Sequence, residues 1–565
     1  MKREWWKEAV VYQIYPRSFN DTNNDGVGDL RGIIQKLDYI KSLGVDVVWL
    51  NPIYSSPNDD NGYDISDYRN IMKEFGTLDD FNILIKEMHQ RGIKLVMDLV
   101  VNHSSDEHHW FQESRKSRDN KYRNYYHWWP AEDGQPPYRW SFFDEKGEAW
   151  QYDSLTDSYY LHLFSKKQPD LNWDNPDLRK EVYDIMKYWL DKGVDGFRMD
   201  VIPFISKELP FKAISEEKIE KDYGDWPHYY AKGPKLHQYL KEMNREVLSK
   251  YDIMTVGECA GVNIEDALKY VTPERQELQT FFQFDGMSIG LKQKDIYVIP
   301  DPEGWKLSEL KKTYTKWNDV FAEKGWGSIY LGNHDQPRAV SRWGNDSKNY
   351  HKYSATLLQT FLLSMRSTPY IYSGDEIGMT NIRFDNIEDY RDLNTINMYN
   401  QIVNNNTNPD EFLQGQKEIG RDNGRTPFQW NSSKNAGFST HKPWLKVNTN
   451  HKYINVEVQN NDPDSILNYF RRLIQLRKKN LIFVYGDYNL LDAANEKIYA
   501  YTRTLNDEKI LVLLNFSEEE INYTLPEKGN TFDIMINNYN DITIENNTAH
   551  LKPYQSVIIK LKNAI

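Results

Sequence analysis

The chain reads as an α/β protein: a (β/α)8 TIM barrel with an inserted loop-rich domain after strand 3 and a C-terminal antiparallel β-domain. Three observations predict this. Apolar, β-branched bursts of strand length alternate with amphipathic helical segments. Such near-continuous apolar strands need a parallel sheet covered on both faces, and about eight units close it into a barrel. The rhythm breaks over 104–170, which is rich in His, Trp, Tyr and Asp. From about 485 the helical pattern stops and KIYAYTRTL, KILVLLNF, TFDIMI and SVIIKLK read as strands split by turns. The expected division is a barrel over 1–103 and 171–484, an inserted domain over 104–170, and a β-sandwich over 485–565.

In order, VVYQIYPRSF is expected as a strand and DLRGIIQKLDYIKSLG as a helix. VDVVWLNP is the second strand, DDFNILIKEMHQRG a helix, and IKLVMDLVVNH the third strand. After the insertion, DLRKEVYDIMKYWLDKG is a helix and VDGFRMDV the fourth strand. YDIMTVGE, QTFFQF, SIYLGNHD and PYIYSGDE follow as strands five to eight. A long excursion rich in Asn, Thr and Pro runs from about 380 to 455.

Composition narrows the function. A net charge of −13 argues against nucleic acid, whose phosphates need Lys and Arg, and against an anionic membrane surface. The single cysteine, Cys259, allows no intrachain disulfide and suits a reducing compartment. No stretch approaches the roughly 20 apolar residues of a membrane span, and the N-terminal residues hold no signal-peptide run. The expectation is a cytoplasmic protein, monomeric or weakly homo-oligomeric, with a small-molecule partner.

Catalytic groups of a barrel lie at the C-terminal ends of its strands. Strand three ends in Asp98-Leu99-Val100-Val101-Asn102-His103, strand four in Arg198-Met199-Asp200, strand five in Val256-Gly257-Glu258, and strand seven in Gly332-Asn333-His334-Asp335. Alone, Arg198 and Asp200 read equally well as a structural ion pair or as a nucleophilic carboxylate with its counter-ion. In the second case Arg198 is expected to lower the pKa of Asp200. Four polar strand ends on one rim favour chemistry. Three acids without a serine nucleophile or a metal-ligand pattern suit glycoside hydrolysis.

DLVVNH, GFRMDV, TVGE and LGNHD, in this order and spacing, resemble the four signature regions of the α-amylase superfamily of retaining glycosidases. The resemblance implies that Asp200 is the nucleophile, Glu258 the general acid/base and Asp335 the acid that binds ring hydroxyls and stabilises the transition state. It implies that Arg198 orients Asp200 and that His103 and His334 bind the cleaved sugar. The run PNDDNGYDISDY resembles the oligo-1,6-glucosidase and α-glucosidase branch. There Asp60 and Tyr63 would close the pocket around one terminal glucose, with Arg421 reaching it and Phe143, Phe164 and Gln168 forming walls. Val201 resembles enzymes that cleave α-1,6 links, where Thr goes with α-1,4 preference. The implied activity is exo-acting hydrolysis of isomaltose and isomalto-oligosaccharides.

The loop Asp21–Asp29 resembles the branch's cation loop. Asp21, Asn23, Asp25 and Asp29, with the Val27 carbonyl, would hold a structural Ca²⁺, or alternatively Mg²⁺; the other reading is an Asx-rich turn capping the next helix. Sucrose isomerases share the architecture and the PFQW wording at Pro427-Phe428-Gln429-Trp430. FDGMSIGLKQKDIYVIP lacks the paired arginines of their RLDRD-type loop. Sucrose-active α-glucosidase and trehalose-6-phosphate hydrolase remain alternatives, the latter through Lys292 and Lys294 at the pocket rim. A non-catalytic binding protein on this fold is disfavoured by the presence of all three acids.

Overall fold

The computed structural model describes residues 3–144, 147–214, 231–294, 296–526 and 531–562. Asp295, inside the segment matched to the isomerase loop, lies outside them. Eight parallel strands form one sheet: β1 (Val11–Ile14), β2 (Val47–Leu50), β3 (Lys94–Leu99), β4 (Gly196–Met199), β5 (Met254–Glu258), β6 (Thr280–Phe282), β7 (Ser328–Ile329) and β8 (Thr368–Tyr372). Their spatial order is β6-β5-β4-β3-β2-β1-β8-β7. The ring is nearly closed where β6 meets β7: the Ser328 hydroxyl donates to the Phe281 carbonyl at 2.7 Å. Strand residues such as Val11, Val47, Leu95, Phe197 and Met254 are fully buried, because helices cover the outside while side chains fill the inside.

The register between strands places the polar groups. Asp98 lies opposite Arg198 across the β3–β4 pair, and Val256 lies opposite Arg198 across β4–β5. Residues two apart share a face, so Glu258 arrives at the level of Asp200. Gly196 makes this close pairing possible, since a Cβ there would stand 2.0 Å from the Met254 carbonyl oxygen. The helix Pro176–Asp191 that feeds β4 is capped by the Asn175 side chain and carries its apolar stripe of Leu178, Val182, Ile185 and Trp189 into the core.

Several expected elements differ. The first strand stops at Ile14, and Pro16–Ser18 form a 3₁₀ turn; Pro16 has no N–H to continue a ladder. The first helix is two helices, Leu30–Gln35 and Leu37–Leu43, broken at Lys36, whose ammonium sits 4.1 Å from the Trp430 ring centre. Asp200 falls just past β4 rather than within it. The excursion after β8 holds helices Leu393–Asn404, Asp410–Ile419 and Asp422–Arg425.

The insertion contains a three-stranded antiparallel sheet, with Ser158–Leu161 between Trp128–Pro130 and Trp150–Asp153. A backbone bridge from His103 to Asp170 ties its two ends together. At the C-terminus a five-stranded antiparallel sheet faces a three-stranded one, with Leu511, Leu513, Val557 and Ile559 packed against Ala549 and Leu551. Its other side meets the helix His351–Ser364 through hydrogen bonds such as Ser364 to Tyr501.

Candidate active site

The strand ends converge on a small inner pocket of about 80 Å³, lined by Asp60, Tyr63, His103, Phe143, Phe164, Asp200, Val201, Glu258, Asp335, Arg421 and Arg425. Of the residues singled out in the sequence, Arg198, His334 and Gln168 stand behind this lining and hold it. An outer chamber of about 440 Å³ adjoins the inner pocket and shares Phe143, Phe164, Val201, Glu258, Asp335 and Arg421 with it.

Arg198 organises the centre. It is only 2% exposed. One terminal nitrogen, Nη1, lies 2.6 Å from Asp98 and 2.7 Å from Asp200, and the other, Nη2, lies 2.8 Å from Glu258. Its guanidinium also sits over Trp49, 5.3 Å from the ring centre. Such a buried cation is tolerable only because both its terminal nitrogens meet carboxylates. Asp98 belongs to this set through the register of β3 beside β4, which the sequence alone does not reveal.

The three acids on the rim differ in charge state. Burial pushes Glu258 up to about 7, against the pull of Arg198. Burial also pushes Asp200 up to about 6, again opposed by Arg198. Arg198 does pull the pKa of Asp200 down, as expected, but the net shift is upward: loss of water outweighs one counter-ion that is shared with two other carboxylates. Burial works on Asp335 in the same direction, but Arg421, His334 and Arg425 outweigh it and hold Asp335 well below the usual carboxylate range. Arg425 Nη2 lies 3.0 Å and Arg421 Nη1 3.3 Å from Asp335 Oδ1.

The far end of the inner pocket is closed by interlocked side chains. Gln168 donates to Asp60 at 2.9 Å and approaches His103 Nε2 at 3.3 Å. Asp60 is pushed well up by burial, with Arg421 pulling the other way. The Tyr63 hydroxyl is 2.6 Å from His334 Nε2, and the two rings stack at 5.3 Å. Gln13 donates to His334 Nδ1 at 2.9 Å. Burial lowers His103 to about 4 and His334 to about 3, so both rings are neutral near pH 7. Phe143 and Phe164 meet at 5.3 Å, and Arg421 lies 5.2 Å over Phe143.

Val201 carries a left-handed backbone, φ 33 and ψ 42, which is strained for a β-branched residue. That conformation aims its N–H at Glu258 Oε2, 2.9 Å away. Cys259 is fully buried among core residues. Sequence reasoning missed Arg425, whose signal was the second arginine of RDNGR, and Asp392, which accepts from Arg425 at 3.1 Å.

These strand-end groups, the barrel and the C-terminal sheets recur in known proteins. The family description "Alpha amylase, catalytic domain" matches residues 13–486. The chain belongs to the α-amylase family. A second description, "Alpha-amylase SusG C-terminal domain", matches 498–558. The oligo-1,6-glucosidase of Parageobacillus thermoglucosidasius is 55% identical over all of both chains, and that of Bacillus cereus 53%. Among solved structures, an isomaltulose synthase from Klebsiella sp. LX3 is 43% identical over all of both chains, with a TM-score of 0.95. Within the family, this enzyme falls in the oligo-1,6-glucosidase and α-glucosidase branch of the glycoside hydrolases.

The loop after β1 offers only oxygen donors, as Ca²⁺ requires. In it Asp21 accepts from the N–H groups of Asn24 and Gly26, Asp25 from Val27, and Asp29 from Thr22 and Gly32. Asp29 thereby caps the helix Leu30–Gln35. Among the described residues no three of His, Cys, Asp and Glu gather closely enough to form a metal cluster by themselves, so Asn23 and backbone oxygens would have to complete any shell. No helix among them is long and apolar enough to cross a membrane.

Proposed function

We propose that the enzyme is a retaining exo-α-glucosidase that releases glucose from the non-reducing end of α-1,6-linked glucosides, isomaltose and isomalto-oligosaccharides among them. The observation that carries this reading is a single guanidinium, Arg198, bridging Asp200 and Glu258 at the mouth of a closed pocket. Two carboxylates held on adjacent nitrogens suit the spacing of about 5–5.5 Å that retention requires. The closed end, built on Asp60, Tyr63, Gln168 and His334, admits one terminal sugar and no longer chain.

Asp200 attacks the anomeric carbon while Glu258 protonates the departing oxygen. The bond from Asp200 to glucose then breaks as Glu258 takes a proton from the incoming water. Asp335, kept ionised by Arg421 and Arg425, accepts hydrogen bonds from ring hydroxyls and supports the oxocarbenium-like charge. Neutral His103 hydrogen-bonds the same sugar without adding positive charge beside that centre, and neutral His334, held by Gln13, fixes the Tyr63 hydroxyl from behind the lining. The reading also takes residues 104–170 as the wall-forming domain, the Asp21–Asp29 loop as a structural Ca²⁺ site, and the cytoplasm as the location. Metal analysis of the purified protein tests the loop; a stoichiometric divalent ion supports it, and none reduces it to a helix cap.

The likeness to an isomaltulose synthase supports a second reading, action on sucrose. The segment matched to the isomerase arginine loop is a hairpin here, Leu291–Lys294 against Tyr297–Pro300, and Lys294 pairs with Glu411. Incubation with equal amounts of isomaltose and sucrose, followed by chromatography, separates the readings. Isomaltose consumed first, with glucose alone accumulating, is the expected result. Sucrose consumed first overturns the linkage preference: free fructose means a sucrase-type α-glucosidase, and a new glucose–fructose isomer means isomerisation. If neither sugar is consumed, a phosphorylated disaccharide replaces both.

A further inference from the structure

The chain that carries Asp335 runs on through Gln336 into the helix Ala339–Trp343. Gln336 and Arg342 both face the outer chamber, and neither lines the inner pocket. Arg342 differs from the other arginines of the site. Arg198, Arg421 and Arg425 each touch a carboxylate. Arg342 donates instead to the Gln336 side-chain oxygen and to the Met287 carbonyl, both neutral, with its guanidinium 4.5 Å over Trp343. A guanidinium has five N–H donors, and these bonds leave the others without a protein acceptor among the described residues. Burial pushes Arg342 down to about 10, so it is still charged at neutral pH.

Apolar side chains such as Phe284, Leu291 and Ile296 make up much of the chamber wall. A cation among them gains most when a ligand's oxygens complete its shell. Its position is on the leaving-group side: the outer chamber that Arg342 lines adjoins the inner pocket at Glu258, which lines both cavities and is the proposed proton donor to the departing oxygen.

We infer that Arg342, oriented by Gln336, binds the leaving sugar, donating to hydroxyl oxygens of the unit released on the far side of the scissile bond. This rests on the glucosidase reading above. It makes Arg342 a specificity residue for sugar leaving groups, distinct from the groups that hold the terminal glucose.

The test compares isomaltose with phenyl α-glucoside, whose leaving group carries no hydroxyls beyond the bridging oxygen. Both substrates pass through the same glucosyl-enzyme, so a difference between them reports the first step alone. In Arg342→Met the isomaltose-to-phenyl-glucoside ratio of kcat/KM should fall about tenfold or more, the size of a lost charged hydrogen bond. Arg342→Lys, which keeps the charge and some donors, should restore part of that ratio and serves alone if the Met variant does not fold. An unchanged ratio, whether both substrates drop together or neither does, overturns the inference. If the wild-type enzyme leaves isomaltose intact, the glucosidase reading fails separately, and the same ratio measured with the disaccharide it does cleave decides Arg342.

Discussion

The inner pocket and the outer chamber meet at Glu258 and Asp335, yet they are built from opposite materials. In the inner pocket most polar side chains are fixed by another: Asp200 by Arg198, Asp335 by Arg421 and Arg425, Asp60 by Gln168, Tyr63 by His334. The chamber is walled largely by aromatic and aliphatic groups from the insertion, the hairpin Leu291–Pro300 and the helices after β8. A charged, interlocked pocket discriminates strongly, because a wrong ligand leaves buried polar groups unpaired; an apolar wall discriminates weakly. One sugar is therefore read strictly and its partner loosely. The same division explains how close relatives with this fold carry names for different reactions.

Predictions follow from that contrast in order of size. Asp200→Asn should lower kcat by several orders of magnitude, on the order of 10⁴-fold, while the protein stays folded. Steady-state rates and circular dichroism check it, and near-normal turnover would remove Asp200 from the chemistry. Arg198→Met strips three carboxylates of their shared cation and should cost about 3–5 kcal/mol of stability, read from urea melts. A melt like the wild type's would mean that the carboxylates do not depend on Arg198.

The third prediction is a narrow pH optimum. Asp200 must be ionised, so kcat/KM rises as pH climbs through about 6. Glu258 must be protonated, so it falls as pH climbs through about 7. The two limbs belong to the coupled pair. Glu258→Gln, assayed with a substrate whose leaving group needs no proton, should lose the alkaline limb; if that limb survives, another group supplies it. The smallest expected effect lies at the border between the regions. Val201→Thr should shift the isomaltose-to-maltose preference a few-fold toward α-1,4 links, on the scale of about 1 kcal/mol for one changed contact. An unchanged ratio places linkage choice elsewhere in the chamber.

The sequence made the inner pocket legible to different depths. Asp200, Glu258 and Asp335 could be found because strand-end carboxylates break the apolar pattern of a buried strand. Gln168 stands 108 residues from Asp60, and only the family wording linked it to the run that holds Asp60 and Tyr63. The triple role of Arg198 was hidden, since Asp98 and Glu258 reach it through the register of the two strands that flank β4. The upward shift of Asp200 was hidden for a related reason: the sequence names its counter-ion but not the burial that overrides it. The chamber was least legible. Its walls come from the hairpin, the excursion and the insertion, whose meeting depends on tertiary packing rather than on any local period. The split of the first helix at Lys36 was hidden too, since no proline or glycine at Lys36 announces the change of its backbone to φ −103 and ψ 6.

The most direct test of the central claim is to trap the glucosyl-enzyme with 5-fluoro-α-glucosyl fluoride, digest it, and locate the label by mass spectrometry. The account predicts one label per chain, on the peptide carrying Asp200, and none in Asp200→Asn. A label on Glu258 or Asp335, or turnover with no covalent species at all, would contradict it.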